Sequence, residues 1–342
     1  MLIWPNSPKP TLKTAILLYM DNKQGILILG AGVIGLSTGI TLLKKGYPVT
    51  IWAKDLPPNT TSNKAAAVWY PYLCFPREKA VPWAKDTFEY FQREILSNPE
   101  SGCIKRTVTE MFDTPQPDPW WKDAVPTSIE RPAKDELPEG YVDGYKVQTI
   151  VIDTSIYMEY LVNTFRCLGG VIVQKEVNDI PQVLEEYNLV INCTGMGSRE
   201  LFKDEKIYPV RGQMIKIKAN GFDQVVVDDE GPNKLSLVVP RVNDIMLGGT
   251  AQENNWNTEI DPEDTKEILR KIILITPHLG NIEIISESVG LRPARESVRL
   301  EAEKYGDKVV VHNYGHGGSG FTLSWGCAQD VVDLVDKASN SL

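Results

Sequence analysis

The chain has 342 residues, 42% of them hydrophobic and 24% charged, values that exclude a disordered, collagenous or disulfide-knotted protein. One core rarely grows past about 250–300 residues, so two domains are expected. Lys+Arg numbers 36 against 45 Asp+Glu, a formal charge of −9, which argues against the basic surface that a nucleic-acid partner requires.

Residues 1–24 read as an N-terminal extension: the apolar run Ala15-Ile16-Leu17-Leu18-Tyr19-Met20 is short and no small-residue cleavage site follows it. Ile26–Leu29 is a continuous apolar run of the kind a strand buried on both faces shows. Gly30-Ala31-Gly32-Val33-Ile34-Gly35 follows at once. Val33, Leu36, Ile40 and Leu43 then recur at helical spacing, and Lys44, Lys45 and Gly46 close the helix. A second strand is expected over 49–52. From 57 to 138 prolines are frequent and only 83–96 reads as a helix. Beyond it a helix is expected over 155–168 and strands over 171–173 and 189–191. The segments 213–218, 224–227, 235–239 and 245–249 read as a β-meander, 262–275 as an amphipathic helix and 309–311 as a last buried strand. Leu323, Cys327, Val331 and Leu334 mark a C-terminal helix. Nucleotide-type βαβ elements thus stand at both ends and in the middle, with a β-rich insertion between them, which predicts an α/β chain of two interleaved domains. The five cysteines, Cys74, Cys103, Cys167, Cys193 and Cys327, are scattered and form no Cys-x-x-Cys, so neither a zinc site nor a disulfide framework is expected. No apolar run reaches the roughly 20 residues of a membrane span.

Four motifs carry chemistry. In Gly30-x-Gly32-x-x-Gly35 the first glycine permits a tight turn and the second lets backbone N–H groups approach a diphosphate. The third lets the helix pack on the strand, with its N-terminus facing the anion. Between a strand and a helix this points to a dinucleotide. The second strand runs out in Trp52-Ala53-Lys54-Asp55, so the acid expected on the ribose is displaced to Asp55, beside Lys54; a solvated charge pair is the alternative. In Thr60-Thr61-Ser62-Asn63-Lys64-Ala65-Ala66-Ala67, hydroxyls can donate to a diphosphate and small residues let backbone lie against a flat ring. A helix N-cap followed by alanines is the equal alternative. In Leu291-Arg292-Pro293-Ala294-Arg295, Pro293 forces Arg292 out of helical geometry. An Arg so held grips a carboxylate with two parallel bonds; a surface Arg is the plain alternative. His312-Asn313-Tyr314-Gly315-His316-Gly317-Gly318-Ser319-Gly320-Phe321-Thr322 packs four glycines into six residues, so a ligand can touch backbone there and face a second helix N-terminus. His312 and His316 read as packing or hydrogen-bonding residues, and no metal is expected.

On these residues the chain resembles the FAD-dependent D-amino-acid oxidase family, which includes D-aspartate oxidases, from about 25 to about 335. The resemblance is carried by Gly-Ala-Gly-Val-Ile-Gly at 30–35 and Thr-Thr-Ser-Asn-Lys-Ala-Ala-Ala-Val-Trp-Tyr-Pro-Tyr at 60–72. Asn-Cys-Thr-Gly at 192–195, Val-Arg-Gly-Gln at 210–213, Leu-Gly-Gly-Thr at 247–250, Gly-Leu-Arg-Pro-Ala-Arg at 290–295 and the glycine-rich run at 312–322 continue it. It implies an FAD-binding Rossmann-like domain (25–70, 146–200 and 286–342) interleaved with a β-rich substrate-binding domain (71–145 and 201–285). It implies non-covalent FAD, with Gly30, Ala31, Gly32, Val33, Ile34 and Gly35 at the diphosphate and Lys54, Asp55, Thr60, Thr61 and Ser62 around it. Ala66, Ala67, Val68 and Trp69 would line the isoalloxazine and Val177 the adenine side, with Thr194 and Gly195 near the turn. Arg292, Gly317, Gly318, Ser319, Gly320, Phe321 and Thr322 would complete the site, the last helix starting near Thr322 and pointing at the flavin. Arg292 would also hold the substrate carboxylate and the Gly318 carbonyl its amino group. The implied reaction is hydride transfer from Cα to the flavin with no residue acting as acid or base, O2 as acceptor, and 2-oxo acid, ammonia and hydrogen peroxide as products.

The sequence also departs from the family. Leu237 stands where many members place a pocket tyrosine. Ala251 stands where yeast members place another and where D-aspartate-preferring members place an Arg. Tyr70 replaces the glutamine of animal members, and with Leu237 it is expected to wall the pocket, Tyr72 being a further candidate. Neutral apolar D-amino acids are therefore expected in preference to acidic ones, with Arg241 the cation that could fold inward and reverse this. D-aspartate oxidase or a glycine/sarcosine-type oxidase is the alternative among flavoenzymes, and an NAD-dependent dehydrogenase or redox-sensing dinucleotide-binding protein outside them. Expected partners are a D-amino acid and O2, without nucleic acid or membrane, and a homodimer stays open. Because Asn340-Ser341-Leu342 is not Ser-Lys-Leu, a cytoplasmic location is expected.

Overall fold

In chain order the elements are β1 (Ile26–Leu29), α1 (Val33–Lys44), β2 (Val49–Ala53), α2 (Arg77–Tyr90), β3 (Cys103–Phe112), β4 (Asp143–Ile152), α3 (Thr154–Cys167), β5 (Val171–Gln174), α4 (Ile180–Glu186), β6 (Leu189–Asn192), α5 (Ser198–Leu201), β7 (Tyr208–Lys218), β8 (Val225–Asp228), β9 (Ser236–Pro240), β10 (Asp244–Gly248), β11 (Gln252–Glu253), α6 (Pro262–Ile275), β12 (Ile284–Ala294), β13 (Arg299–Tyr305), β14 (Lys308–Tyr314) and α7 (Gly320–Ser339). This computed structural model describes residues 25–339 apart from Pro126, so the extension expected over 1–24 and the Asn340-Ser341-Leu342 end lie outside the described residues.

The first sheet has six strands in the order β13-β14-β6-β1-β2-β5. All its pairs are parallel except β13 with β14. Its apolar runs follow from helices covering both faces. Ile26 and Ile28 enter one core with Leu36 and Ile40 of α1 and Val331 and Val335 of α7, while Leu27 and Leu29 enter another with Ile180 and Val183 of α4. Each such buried side chain stabilises the fold by about 1.5–3 kcal/mol. Helix α2 crosses α7 so closely that a Cβ on Gly326 would stand 2.3 Å from the Trp83 carbonyl oxygen. This helix starts at Arg77, earlier than the expected 83, and ends in a π turn over Phe91–Ile95.

The second sheet has eight strands, β11-β7-β10-β9-β8-β3-β4, with β12 along the other edge of β7. Only β3 with β8 is parallel among its pairs. Ile268, Ile272 and Ile275 of α6 cover it over Ile215, Ile217, Val238 and Leu247. Asp261 caps α6 by accepting from the Glu263 N–H, and Pro262 opens the helix where no N–H is needed. Strands β4 and β12 pair within this sheet as far as Ile152 and Ala294, so the chain changes sheets beyond the positions 146 and 286 at which the domain edges were expected. A deep cavity lies between the two sheets, reached by the C-terminal ends of β1, β2 and β6.

Candidate functional site

The cavity, about 790 Å³, begins at the turn after β1. There Gly30 has φ +107°, and a Cβ on it would stand 2.5 Å from the Cys193 carbonyl oxygen. A Cβ on Gly35 would stand 2.0 Å from the Gly30 carbonyl oxygen. The turn leaves no room for a side chain at either glycine, and the N-terminus of α1, whose Val33 and Ile34 line the cavity, has no acidic side chain in its first turn. That end carries the positive pole of the helix dipole and attracts an anion. Beside it Thr61–Lys64 form a 3-10 turn, and the Val33 N–H donates to Ser62 Oγ at 3.0 Å. The chain after this turn is not helical over 65–69, so the alternative of an alanine helix does not hold. Ala67 adopts φ +49°, pinned by a bond from Ile152 N–H to its carbonyl at 2.9 Å and by the Val68–Val151 bridge.

Two hydroxyls at the start of the last helix, one just before it and one in its first turn, fix the wall that follows. Ser319 Oγ accepts from Tyr72 N–H at 3.0 Å and donates to its carbonyl at 2.5 Å. Thr322 Oγ1 does the same for Tyr70, at 3.1 and 3.0 Å. Tyr70 and Tyr72 are thereby clamped across the N-terminus of α7, which begins at Gly320, two residues before the expected Thr322. Arg292, on β12, lies against this wall. Its Nη1 donates to the Thr250 carbonyl at 2.9 Å and its guanidinium lies close against Gly212, where a Cβ would meet Nη1 at 2.2 Å. At Gly318 a Cβ would touch Tyr72 at 3.0 Å and the Arg292 side chain at 3.7 Å, so these three residues meet at one point of the cavity. Arg292 makes no ion pair with a carboxylate among the described residues. Arg295, by contrast, is paired with Asp204 at 2.9 Å, and the Arg211 of the 210–213 motif is fully buried against Asp264 at 2.7 Å. Both are structural.

The same end of the cavity is acidic. Tyr70 Oη donates to Glu110 of β3, and its ring packs edge-on to Trp121. Burial, helped by the charges of Asp229, Glu230 and Asp228, pushes the Glu110 carboxyl up to about 8 against the lowering effect of Tyr70. Asp229 lines the cavity, and burial with Glu230 and Asp228 pushes it up to about 7. A carboxyl that holds its proton more tightly folded than unfolded stabilises the fold fully below its ordinary range, and this is lost as pH rises through the folded value. Glu110→Gln should therefore remove a loss of stability between about pH 4.5 and pH 8, on the order of 3–5 kcal/mol. Urea midpoints of the holoenzyme at pH 5 and pH 8 check it: an equally steep fall in wild type and variant would show that Glu110 ionises freely.

Of the expected site residues, Gly30, Ala31, Gly32, Val33, Ile34, Lys54, Asp55, Thr60, Thr61, Ser62, Ala66, Ala67, Val68, Tyr70, Val177, Thr194, Gly195, Leu237, Arg292, Gly317, Gly318, Gly320 and Phe321 line the one cavity. Four stand behind its wall. Gly35 packs on the Gly30 turn, Trp69 is buried and donates to the Ala84 carbonyl at 3.0 Å, and the Ser319 and Thr322 hydroxyls are taken by Tyr72 and Tyr70. Lys54 pairs with Glu176, a cavity residue that the sequence reading did not name, at 2.9 Å. Met214, Asp229 and Glu110 were also missed. Two buried polar atoms of lining residues, Asn313 Oδ1 and His316 Nε2, have no hydrogen-bond partner among the described residues, and burial pushes His316 down to about 3, leaving it neutral. His312 bonds Asn192 at 3.2 Å and Glu303 at 3.0 Å. Among the described residues no group of three or more His, Cys, Asp or Glu is placed to hold a metal ion.

The chain matches the family model described as FAD dependent oxidoreductase over residues 25–334. It is 51% identical to the D-amino-acid oxidase of Dictyostelium discoideum, covering 92% of either chain. It is 40% identical to the D-amino-acid oxidase of Rubrobacter xylanophilus, covering 91% of this chain and 96% of that one. Its identity to the D-aspartate oxidase of Homo sapiens is 32%, covering 94% and 97%. Among solved structures it is similar to glycine oxidase from Bacillus cereus, with a TM-score of 0.75 at 18% identity over 92% of this chain and 95% of that one, a likeness of fold.

Proposed function

This chain belongs to the FAD dependent oxidoreductase family, and we propose that it oxidises D-amino acids with neutral, apolar side chains to 2-oxo acids, ammonia and hydrogen peroxide. One observation carries the reading: Arg292, without an ion pair among the described residues and held against Gly212, meets Tyr72 and Gly318 in the cavity that begins at the Gly30 turn. The residues present fit FAD. Gly30, Gly32, Gly317 and Gly318 line the cavity without side chains, and Asn313 Oδ1 and His316 Nε2, which have no hydrogen-bond partner among the described residues, belong to residues that border the same space. Residues 30–34 with the amides of α1 would hold its diphosphate. Lys54, Asp55, Glu176 and Val177 would hold its adenosine end, and 66–68 with 317–321 the ring end. When bound, FAD supplies the two-electron acceptor for the substrate Cα–H hydride and is reoxidised by O2.

The chain's own residues bind and orient. The Arg292 guanidinium offers its free N–H groups to the substrate carboxylate. The Gly318 carbonyl accepts from the α-amino group, and with the carboxylate and amino group so held only the D-enantiomer would turn its Cα–H to the cofactor while its side chain enters the apolar pocket. Leu237, Val227, Met214 and the Tyr70 ring exclude water from the rest of the pocket. Selection against acidic side chains follows from the same wall. Arg241, the cation most able to reverse it, is buried and bonded to Asp244 at 2.6 and 2.7 Å and to Thr154 at 3.0 Å. Ala251 contributes only a methyl group. Two domains divide the work, the first sheet serving the cofactor and the second the substrate. Dioxygen as second substrate, a homodimer and a cytoplasmic setting belong to the same proposal. The five cysteines are all unpaired and four are buried, which suits a reducing compartment. Among the described residues no helix is long and apolar enough to cross a membrane.

The test is peroxide release by the purified flavoprotein from D-valine, D-phenylalanine, D-aspartate and their L-enantiomers. D-valine and D-phenylalanine are expected to lead in kcat/KM, each buried methylene adding roughly 0.8 kcal/mol, with the L-forms inert. D-aspartate in the lead would overturn the apolar preference, and peroxide from none of the D-forms would overturn the activity.

A further inference from the structure

Asp229 follows β8 directly and lines the cavity, yet it makes no hydrogen bond and no ion pair with another described residue. Its neighbours differ. Asp228 is buried and engaged, accepting from Tyr141 Oη, from Gly231 N–H at 2.6 Å and from Asn233 N–H at 2.8 Å, while Glu230 is exposed. Asp229 is thus the acid of this turn left facing the cavity. It lines the same cavity as Arg292, Tyr70 and Tyr72 and lies within electrostatic reach of all three.

We propose that Asp229 is a specificity-determining residue that pairs with the side-chain cation of a basic D-amino acid, so that D-lysine, D-ornithine and D-arginine are substrates beside the neutral apolar ones. This rests on reading the site as one that oxidises D-amino acids. The geometry separates the two ammonium groups of such a substrate. The α-amino group is met by Gly318, on the loop before α7, whereas Asp229 belongs to the opposite sheet. There the β8–β9 register sets Val227 against Leu237, and both line the cavity. The methylene stem of a basic side chain lies along Val227 and Leu237 and its charged head reaches Asp229. A buried carboxylate without a partner is costly, and an arriving cation supplies one. A neutral side chain leaves Asp229 to keep its proton, which its raised affinity permits, so apolar substrates stay acceptable. An acidic side chain meets only repulsion.

The test compares D-lysine with D-norleucine, the same chain without the terminal ammonium, in the wild-type holoenzyme, in Asp229→Asn and in Asp229→Ala. The ratio of kcat/KM for D-lysine to that for D-norleucine is expected to fall by roughly 30-fold or more in either variant. Asp229→Ala keeps the question open to decision should the asparagine variant not fold. An equal loss on both substrates, leaving the ratio unchanged, would assign Asp229 to the common α-amino group and overturn the proposal. A wild-type enzyme that turns over D-norleucine but not D-lysine would also overturn it. Turnover of neither would instead overturn the reading of the site on which it rests.

Discussion

Arg292→Ala is expected to lower kcat/KM for a neutral D-amino acid by roughly 10²–10⁴-fold, the equivalent of about 3–5 kcal/mol in transition-state binding. The size follows from what surrounds the guanidinium. One of its nitrogens is already held by the Thr250 carbonyl at 2.9 Å, and the guanidinium lies close against Gly212, which restricts the directions of the remaining donors. A substrate carboxylate placed there gains two parallel charge-assisted bonds without reorganisation. Truncation to alanine removes both bonds and leaves the carboxylate desolvated in a pocket without its cation. Arg292→Lys should recover only part of the loss, since an ammonium is one point charge and cannot reproduce the fork. FAD content measured by absorbance separates this from damage to the cofactor site. A flavin-replete alanine variant with wild-type kcat/KM would remove Arg292 from the substrate.

Gly35→Ala should cripple cofactor retention, with FAD affinity falling on the order of 100-fold and the fold losing about 3 kcal/mol or more. The new Cβ would stand 2.0 Å from the Gly30 carbonyl oxygen, whereas real Cβ atoms essentially never approach within 3.0 Å. The obstacle is backbone, so no side-chain rotation relieves it. Helix α1 must move off the strand, carrying its N-terminal amides away from the place where an anion sits. Gly25→Ala is the matched control, because its Cβ would lie at an ordinary 3.6 Å from the Pro48 carbonyl oxygen. Fluorescence titration of the apo-protein with FAD, with a thermal melt of each variant, reads both consequences. A Gly35→Ala protein that binds FAD and melts like wild type would show that the turn opens more easily than this packing allows.

The sequence alone determined what depends on neighbours in the chain. A short apolar run, a glycine turn and a 3.6-residue apolar period are local, and they located β1, the Gly30 cradle and α1. Pro293 made the Arg292 segment extended because its ring restricts the residue before it, and β12 runs through that segment. The strands β3 and β4 were not legible. In β3 the polar residues Lys105, Arg106, Thr107, Thr109 and Glu110 obscure the two-residue alternation, and proline-rich loops lie on its far side. Glu110 is buried on that strand with its carboxyl on Tyr70, a partner 40 residues away, and a buried acid carries no sequence signal until its partner is seen.

What only the tertiary structure decided lies between segments far apart in the chain. Ser319 and Thr322 were expected at the cofactor, but their hydroxyls clamp the backbone of Tyr72 and Tyr70 across 247 and 252 residues. Arg241 was expected to threaten the apolar pocket and instead pairs with Asp244 and Thr154, because β9 carries it to the end of the sheet facing α3. Arg292 and Arg295 stand in one motif with the same chemistry, yet Asp204 forms an ion pair with Arg295, while among the described residues no carboxylate stands at ion-pair distance from Arg292. Asp229 gave no pattern at all: a carboxylate in an acidic turn reads as solvated surface until two sheets close over it. Local sequence sets the conformation of a segment, through sterics and apolar period. Which charged or polar groups remain without a partner, and so are available to a ligand, is settled only when the whole chain has made its contacts, because pairing depends on distance in space and not along the chain.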